Sequence, residues 1–532
     1  MPKRERRFAA IGMLALLVAF TCSSLVLGDA VLRRPFDHGE YFASLSSLIH
    51  DTDFIPITVH GALDYIPGLI AIAAFGKANY AYATRLIYVL LEFGSAITLF
   101  LILRRMLGAT ITLVLASFVI PFLVGYRDFS LLLLLLTYLI AEDAQSHRRQ
   151  YLALLCLGVV GVFNFYFSTN RGIAGTVAIG SALLISSFSD RKYLIAVISF
   201  LVTLVVISLI HPILDLANYA NNLLFLAQIS YQWSYGFELE PILLTLHLGA
   251  LLLLTIMLVA TRLRKNGLNN RNLSKIALFG CLSLFYFQIA TYRADLIHIT
   301  MGLMIVLINI SYWYSIAPAT KVRFHESEGT IFLLLIFLSM LTLWYWAPFG
   351  VVVACILFGA FHLPGTNGRA LVRAALSLAL GWLLVSDLIK IDANFATGGY
   401  DWVGQSVTNR TNAIAATTPT NWVVGELKKR NARCVFDLSN NGVINAVANL
   451  PACTRFSYII YADKRYEGEL IGKLSESNPA VIVYSTSLPY YRIDGRSMAV
   501  RFPNLDTYIR ERYPHEICKR GYCIRYRAAA DV

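Results

Sequence analysis

Residues 151–188, YLALLCLGVVGVFNFYFSTNRGIAGTVAIGSALLISSF, contain two apolar runs separated by a short polar stretch. Each run approaches the roughly 20 residues that a helix needs to cross the hydrocarbon core of a bilayer. The polar residues STNRG between them are enough for a turn at the membrane surface. The stretch therefore predicts two neighbouring transmembrane helices.

The same pattern extends over most of the chain. Of its 532 residues, 57% are hydrophobic and only 14% are charged, which excludes a water-soluble globule. We predict a polytopic α-helical membrane protein with 11–13 transmembrane helices. The thirteen apolar runs lie at about residues 9–28, 82–103, 109–125, 129–141, 151–167, 172–187, 193–211, 241–261, 276–292, 299–316, 330–346, 349–362 and 371–389.

The distribution of Lys and Arg predicts the orientation. Cytoplasmic loops retain cations and short translocated loops lose them. The cations gather in alternate gaps, beginning with KRERR at residues 3–7, so the N-terminus is expected in the cytoplasm. The first apolar run lacks a convincing cleavage site and is interpreted as a retained anchor. The net charge of +13 follows from this topology and a basic tail, and it does not indicate nucleic-acid binding.

The tail is predicted to be a separate unit outside the cytoplasm. We divide the chain into a transmembrane domain at 1–390 and an extracytoplasmic α/β domain at 391–532, because strands alternate with amphipathic helices in the tail. Its four cysteines fit two disulfides in an oxidising compartment. A two-residue turn at Arg520 and Gly521 would place Cys518 opposite Cys523. Free thiols in the tail are the alternative.

The first external loop carries an acidic cluster, FDHGEYF, at residues 36–42. Asp37 and Glu40 are three residues apart and share a face of a short helix. A partly desolvated carboxylate makes a usable general base. Alternatively, Asp37 caps the turn that begins at His38 and Glu40 occupies the third helical position. His60 and Asp64 form a second cluster in the same loop.

Other external loops place cations beside carboxylates. Guanidinium groups neutralise a phosphate bidentately and histidine adds a donor. Simple ion pairs between helices, or arginines that reach lipid headgroups, are the alternatives. The amide of Asn221 is a further candidate for sugar binding, although an interfacial aromatic belt has a similar composition. The remaining candidates are Arg127 with Asp128, Arg171, and Arg293 with Asp295 and His298.

The motifs DHGE at 37–40, HGALDYIPG at 60–68 and YRADLIH at 292–298, followed by a C-terminal soluble unit, resemble bacterial GT-C glycosyltransferases. These belong to the superfamily of the dolichyl-phosphate-mannose mannosyltransferases and aminoarabinose transferases. The resemblance covers about the first 390 residues. It implies an acidic base in the first loop, which Asp37 matches best and Glu40 second. A His-Gly insertion here separates two acids that are adjacent in the family. Arg293 and His298 resemble phosphate-contacting residues of a later loop.

The resemblance implies an enzyme of the bacterial inner membrane. A sugar would move from a polyprenyl-phosphate donor to an envelope glycan or lipid acceptor, such as a lipopolysaccharide, with inversion. Arg127, Arg171 or Arg293 would bind the leaving phosphate. No cofactor is required, although Asp37, Glu40 and Asp64 could together bind a divalent cation such as Mg²⁺ or Mn²⁺. An O-antigen-ligase-like polymer transferase and a lipid-linked glycan flippase or transporter are the alternative functions.

Overall fold

The computed structural model describes residues 35–51, 53–76, 80–107, 112, 124–229, 269–292, 296–315, 419–439, 441–485, 498–519 and 521–527, with scattered positions from 248 to 267. The predicted spans at 9–28, 330–346, 349–362 and 371–389 lie outside these residues, as does the proposed domain boundary at 390. Most of the spans at 109–125 and 241–261 lie outside them as well. Helix residues 35–39 and 296–300 are described by their backbone only.

The N-terminal part of the described chain is helical. Short 3-10 turns precede several of the helices, at Ala62–Tyr65, Arg191–Tyr193 and Pro212–Leu214. The helices are α1 (Pro35–His50), α2 (Ile66–Phe75), α3 (Tyr80–Met106), α4 (Asp128–Asp143), α5 (His147–Phe167), α6 (Thr169–Ser189), α7 (Leu194–Ser208), α8 (Leu216–Ile229), α9 (Asn270–Tyr292) and α10 (Leu296–Ser315).

Seven of the predicted spans coincide with helices among the described residues, namely α3 to α7, α9 and α10. Four segments are long and apolar enough to cross a membrane: His147–Phe167, Thr169–Ser189, Arg191–Ser208 and Asn272–Thr291. The expected fold class, a polytopic α-helical protein with a C-terminal α/β unit, is confirmed. Helices α1, α2 and α8 lie between the predicted spans.

Small residues bring the spanning helices close together. Ala174, Ala178 and Ala182, four residues apart on α6, are fully buried in the apolar core with Leu278 and Leu282 of α9. A Cβ atom added at Gly158 of α5 would lie 2.5 Å from the backbone of α7. Because lipid tails are as apolar as these side chains, close backbone approach and dispersion hold such helices together.

A buried ion pair joins the ends of the helices that are predicted to face the cytoplasm. Lys275, fully buried at the start of α9, pairs with Glu142 at the end of α4. The Lys275 ammonium also lies 4.0 Å from the ring centroid of Tyr138. The Tyr138 hydroxyl donates to Glu142 over 2.9 Å and contacts Ser274. Both buried charges are therefore neutralised and hydrogen-bonded, as burial requires.

The C-terminal part forms an α/β unit. Its helices are α11 (Pro419–Lys429), α12 (Val443–Ala448), α13 (Glu467–Ser477), α14 (Met498–Arg501) and α15 (Pro503–Arg512), with 3-10 turns at Ile459–Tyr461 and Lys464–Tyr466. Its strands are β1 (Phe436–Asp437), β2 (Val481–Ser485), β3 (His515–Lys519) and β4 (Tyr522–Tyr526), in the sheet order β1-β2-β4-β3.

The inner strand β2 is covered by helices on both faces of the sheet. Val481 and Val483 pack with Val423 and Leu427 of α11. Ile482, between them, packs in a different cluster with residues of α13 and α15 such as Leu470 and Ile509. Successive side chains of a strand point to opposite faces. The apolar run VIV is therefore explained by a sheet with helices on both sides.

Both expected disulfides are present in this unit. Cys434 is bonded to Cys453, and Cys518 to Cys523. The second bond joins directly opposite residues of the β3–β4 hairpin. Gly521 in its turn has φ of +84°, which glycine adopts without strain. The hairpin prediction from Arg520 and Gly521 is thus confirmed.

The C-terminal unit packs directly on α1 and its neighbours. The hydroxyls of Ser44 and Ser457 are 2.8 Å apart. Ser46 donates to the carbonyl oxygen of Leu450 over 2.8 Å, and the Ala452 amide donates to the Ser47 hydroxyl over 2.9 Å. Three serines within about one turn of α1 thus fix the unit against the helix that carries the acidic cluster.

The two disulfides should differ in their effect on stability. Cys434 and Cys453 are 19 residues apart and Cys518 and Cys523 only 5. A longer closed loop removes more entropy from the unfolded chain, so we expect losses of about 3 and about 2 kcal/mol respectively when each pair is replaced by serine. Both stability losses are measured by heating the purified full chain and using proteolysis to detect unfolding of the C-terminal unit. An equal or reversed order would contradict the loop-entropy explanation.

Candidate active site

Loop one folds back so that its two polar clusters meet. After α1 the chain is extended to His60, which forms an isolated antiparallel bridge with Ser168 at the end of α5. A Cβ atom at Gly61 would lie 2.1 Å from the Tyr166 carbonyl oxygen, so only glycine allows this close passage. The 3-10 turn at Ala62–Tyr65 then places Asp64 beside His60.

Glu40 is buried at the centre of this fold, with 6% of its surface exposed. Its Oε1 atom accepts hydrogen bonds from the Thr58 hydroxyl and from the Val59 amide, the latter over 2.8 Å. The capping alternative for Glu40 is therefore wrong, because its side chain bonds residues outside α1.

Asp37 lies one turn before Glu40. Helix α1 already begins at Pro35, so Asp37 lies inside the helix instead of preceding it. Its backbone position is three residues before Glu40, which places the two residues on the same face of α1. The side chains of Asp37 and His38 lie outside the described residues.

His60 and Asp64 form a buried pair beside Glu40. His60 Nδ1 lies 2.5 Å from Asp64 Oδ2, and Arg127 Nη2 lies 2.8 Å from His60 Nε2. Arg127 Nη2 is also 2.6 Å from Nδ1, so the guanidinium contacts both ring nitrogens. On its other side, His60 Nε2 lies 3.7 Å from Glu40 Oε2. His60 therefore lies between two carboxylates and one guanidinium.

Asp64 has one oxygen that remains open. Its Oδ2 atom is shared by His60, by Arg127 Nε at 3.4 Å and by the Tyr126 hydroxyl at 3.5 Å. The other oxygen, Oδ1, is buried and has no hydrogen-bond partner among the described residues. An unpaired buried carboxylate oxygen is costly, which makes it a natural acceptor for a ligand hydroxyl.

Tyrosine rings line the side of this cluster that faces the helices. The rings of Tyr88 and Tyr126 stack with centroids 3.9 Å apart, and those of Tyr41 and Tyr65 stack at 5.3 Å. The Tyr41 hydroxyl accepts the Gly68 amide over 2.9 Å, which ties α1 to α2. The charged groups therefore lie against a rigid aromatic wall.

Arg171 is more deeply buried than Arg127 and pairs with a different carboxylate. It is 7% exposed, and its Nε atom pairs with Asp128 Oδ1. Its Nη2 atom points to the Met301 sulfur at 3.3 Å. Asp128 in turn accepts the Gly125 amide over 2.7 Å. This closed ion pair joins α4 and α6, whereas about a quarter of the Arg127 side chain, 24%, is exposed.

Most of the other predicted site residues fall outside the part of the chain that the structure describes. Arg293 and Asp295 lie outside the described residues, and His298 is described only by its backbone in α10. Asn221 is exposed on α8. Its neighbour Asn222 instead accepts the Thr58 amide over 3.3 Å and donates to the Thr58 carbonyl over 2.8 Å.

Sequence reasoning did not select two residues that support the cluster. Thr58 has no motif, so it had no local signal. Asn222 did have one, because it lies three residues after the buried Tyr219 of α8 and so shares its inward face.

The described carboxylates do not form the oxygen-ligand set that a divalent cation needs. Glu40 Oε1 is engaged by Thr58 and Val59, and the His60 ring lies between Glu40 and Asp64. Among the described residues, one group of three donors has metal-ligand spacing, Glu516 with Cys518 and Cys523. Those cysteines are disulfide-bonded, so they are not ligands.

The chain was compared with solved structures. Over 97% of this chain and 98% of theirs, it is similar to crystal structures of ArnT from Cupriavidus metallidurans, apo (12% identity, TM-score 0.47) and bound to undecaprenyl phosphate (12%, TM-score 0.42). It also matches the Archaeoglobus fulgidus oligosaccharyltransferase complexed with Zn and sulfate, at 12% identity and TM-score 0.32 over 92% of this chain and 71% of the other.

No protein-family model and no curated protein matches the sequence. At 12% identity and TM-scores below 0.5, the solved structures leave the activity of this chain to be decided by its own residues.

The two arginines should separate stability from activity. Arg171→Gln leaves Asp128 buried without its cation, which typically costs about 3 to 5 kcal/mol, so we expect a lower melting temperature. Arg127→Gln should lower the melting temperature less, because its Nε lies 3.4 Å from Asp64 and His60 also contacts that carboxylate, and it should lose glycan transfer. Arg105→Gln breaks an exposed pair with Asp143 and serves as the control for both measurements. A stable but inactive Arg171→Gln protein would instead make Arg171 a substrate ligand.

Proposed function

We propose that this chain is an integral-membrane glycosyltransferase of the GT-C superfamily. It transfers a sugar from a polyprenyl-phosphate donor to an envelope glycan or lipid acceptor at the extracytoplasmic face of a bacterial inner membrane. The observation that carries the proposal is the convergence of Glu40, His60, Asp64 and Arg127 in one buried cluster where loop one meets the helix ends.

The groups of this cluster suit glycosyl transfer. A carboxylate of α1 takes the proton of the acceptor hydroxyl, with Asp37 as the first candidate and Glu40 as the second. The acceptor oxygen then bonds to the anomeric carbon. The bond from that carbon to the phosphate oxygen breaks, and polyprenyl phosphate leaves with the electron pair. An in-line attack of this kind inverts the anomeric centre.

Arg127 is the best-placed described cation for the leaving phosphate. Its guanidinium is held by Tyr126 at 3.0 Å and by His60, and part of it is exposed. A preorganised cation stabilises charge that develops as the phosphate departs. Arg293 and His298 are proposed as further phosphate ligands. Arg171 supports the site through Asp128.

The remaining polar residues are proposed to bind the sugars. The open Oδ1 atom of Asp64 can accept a sugar hydroxyl, with His60 fixing the carboxylate in place. Asp295, which is not among the described residues, and Asn221, which is exposed, are weaker candidates. A lipid-linked donor is expected because nucleotide sugars are absent outside the cytoplasm, and a site at the membrane border is accessible to a lipid.

The extracytoplasmic orientation is supported by three observations. The C-terminal unit contains two disulfides, which persist in oxidising compartments. It also packs on the same side as the candidate site, through Ser44 and Ser457. The basic residues Arg105 and Lys275 lie at the opposite helix ends, as the cation rule requires of the cytoplasmic face.

The catalytic proposal is tested with two isosteric variants. Asp37→Asn and Glu40→Gln each remove a charge without changing shape, and we expect at least one to lower glycan transfer about 100-fold or more, the range of general-base catalysis. Mass spectrometry of envelope glycolipids from cells that lack the gene, complemented by each variant, measures transfer. Asp53→Asn, an exposed acid of the same loop, is the control. Normal transfer by both variants would reject the mechanism.

A further inference from the structure

His60 is held rigidly between the two carboxylates of the candidate site. Its residue is 2% exposed, and its backbone forms the bridge to Ser168. The His60 amide donates to the Thr58 hydroxyl over 3.0 Å, and that hydroxyl donates in turn to Glu40 Oε1. One hydroxyl therefore fixes the backbone of His60 relative to the side chain of Glu40.

The second oxygen of Glu40 faces the His60 ring. Oε1 accepts from Thr58 and Val59, whereas Oε2 lies 3.7 Å from His60 Nε2. On the other side of the ring, Nδ1 lies 2.5 Å from Asp64 Oδ2. The distance of 3.7 Å is longer than a hydrogen bond, but catalytic contacts often tighten when a substrate binds. The order carboxylate, imidazole, carboxylate suits proton transfer, because the second carboxylate orients the ring and stabilises an imidazolium.

The charges around His60 favour an added proton. Among the described residues, the groups that face its ring are two carboxylates, one guanidinium and two phenol rings, those of Glu40, Asp64, Arg127, Tyr41 and Tyr65. Two carboxylates and one guanidinium leave one negative charge, which a proton on His60 would balance. The guanidinium opposes that proton, since Arg127 Nη2 lies within 2.8 Å of both ring nitrogens. A phosphate bound to Arg127 would weaken this opposition.

We propose that His60 is a positioning residue that acts through Glu40 by holding the proton taken from the acceptor. The inference rests on the proposed function and commits to Glu40 as the base. Glu40 Oε2 takes the acceptor proton while the acceptor oxygen bonds to the anomeric carbon and polyprenyl phosphate leaves with the electron pair. The proton then passes from Oε2 to His60 Nε2, and Asp64 stabilises the imidazolium. Glu40 is again a carboxylate, and His60 gives its proton to water when the products leave.

Such a proton acceptor must be neutral before each turnover. Histidine is the side chain that ordinarily changes charge between about pH 5 and about pH 8. Acidic buffer would protonate His60 in advance, so we expect transfer to fall as the pH is lowered through that range. A carboxylate base without the imidazole would keep its activity there, because carboxylates ordinarily titrate near about pH 4.

Two amide variants test this role. Spheroplasts of the complemented cells expose the extracytoplasmic face to the buffer, so the pH at the site can be set. We expect His60→Gln and His60→Asn each to lower transfer about 10-fold or more at about pH 7.5, and to remove its decline toward about pH 5.5. His50→Gln, at the exposed end of α1, is the control and should keep both the rate and the decline.

The two variants separate proton transfer from shape. The Asn amide lies near the position of Nδ1 and the Gln amide near that of Nε2, but neither amide takes up a proton at these pH values. A purely structural role predicts that one of the two restores transfer, or that the residual transfer keeps its decline in acid. Either result would overturn the inference, as would normal transfer by both variants. Melting temperatures of the purified full chains identify a variant that fails to fold.

Asp64→Asn tests the same path with His60 in place. Without the negative charge beside Nδ1, an imidazolium forms only in more acidic buffer. We expect the decline of transfer, scaled to the maximum of the variant itself, to move to lower pH by about one unit. A decline that stays at the same pH would contradict the proposed path.

A double-mutant comparison tests whether His60 acts through Glu40. In a Glu40→Gln background, His60→Gln should lower transfer less than about threefold further, because the path is already broken. Multiplication of the two separate losses would mean independent effects and would overturn the inference.

The outcomes distinguish this inference from the proposed function. If Glu40→Gln abolishes transfer while the His60 variants keep transfer and its decline in acid, only the role of His60 fails. If Asp37→Asn abolishes transfer and Glu40→Gln does not, Asp37 is the base and the path through His60 fails, whereas the glycosyltransferase mechanism stands. If Asp37→Asn and Glu40→Gln both transfer normally, that mechanism fails as well.

Discussion

The burial of the Glu40 carboxylate is the constraint around which the site is organised. A carboxylate removed from water is stable only if its oxygens are hydrogen-bonded. The donors are the Thr58 hydroxyl and the Val59 amide, from adjacent residues of loop one. Asn222 of α8 hydrogen-bonds the backbone of Thr58, so α8 helps to position a donor to this carboxylate. Parts that are distant in sequence must therefore fold together before the charge can be buried.

The apolar environment explains why the remaining charges occur in pairs at helix ends. Asp128 and Arg171 join α4 and α6 on the side of the site, and Glu142 and Lys275 join α4 and α9 at the other end. One helix, α4, thus carries a buried ion pair at each end, 14 residues of mostly leucine apart. Such pairs give little net stability compared with apolar packing, but losing one partner is expensive. These two ion pairs fix the depth and rotation of α4, and they therefore also fix the position of Arg127 just before it.

The parts of the structure that follow from periodicity and spacing were predictable from the sequence. The apolar runs predicted seven helices of the described chain, and the spacing of Cys518 and Cys523 predicted a hairpin with its disulfide. The pairing of His60 with Asp64, one helical turn apart, was likewise within reach of local reasoning. What could not be predicted is contact between distant segments. Nothing near Ser457 distinguishes it from the other polar residues of the tail, because its contact with Ser44 depends on the docking of α1 against the tail. The helical phase of α8 would have favoured Asn222 over Asn221.

The adjacent residues Arg127 and Asp128 make different contacts, because their side chains extend in different directions. Asp128 is the first residue of α4, and its carboxylate turns into the bundle, where it accepts the Gly125 amide and pairs with Arg171. Arg127 precedes the helix and extends toward loop one, over the Tyr126 ring and against His60. Because Arg171 neutralises Asp128, the Arg127 guanidinium is not needed to neutralise that carboxylate. The Arg127 guanidinium instead faces Asp64 and the exposed side of the cluster. In the mechanism proposed above, a phosphate arriving from the membrane would contact this guanidinium. The guanidinium of Arg171 is already paired with Asp128.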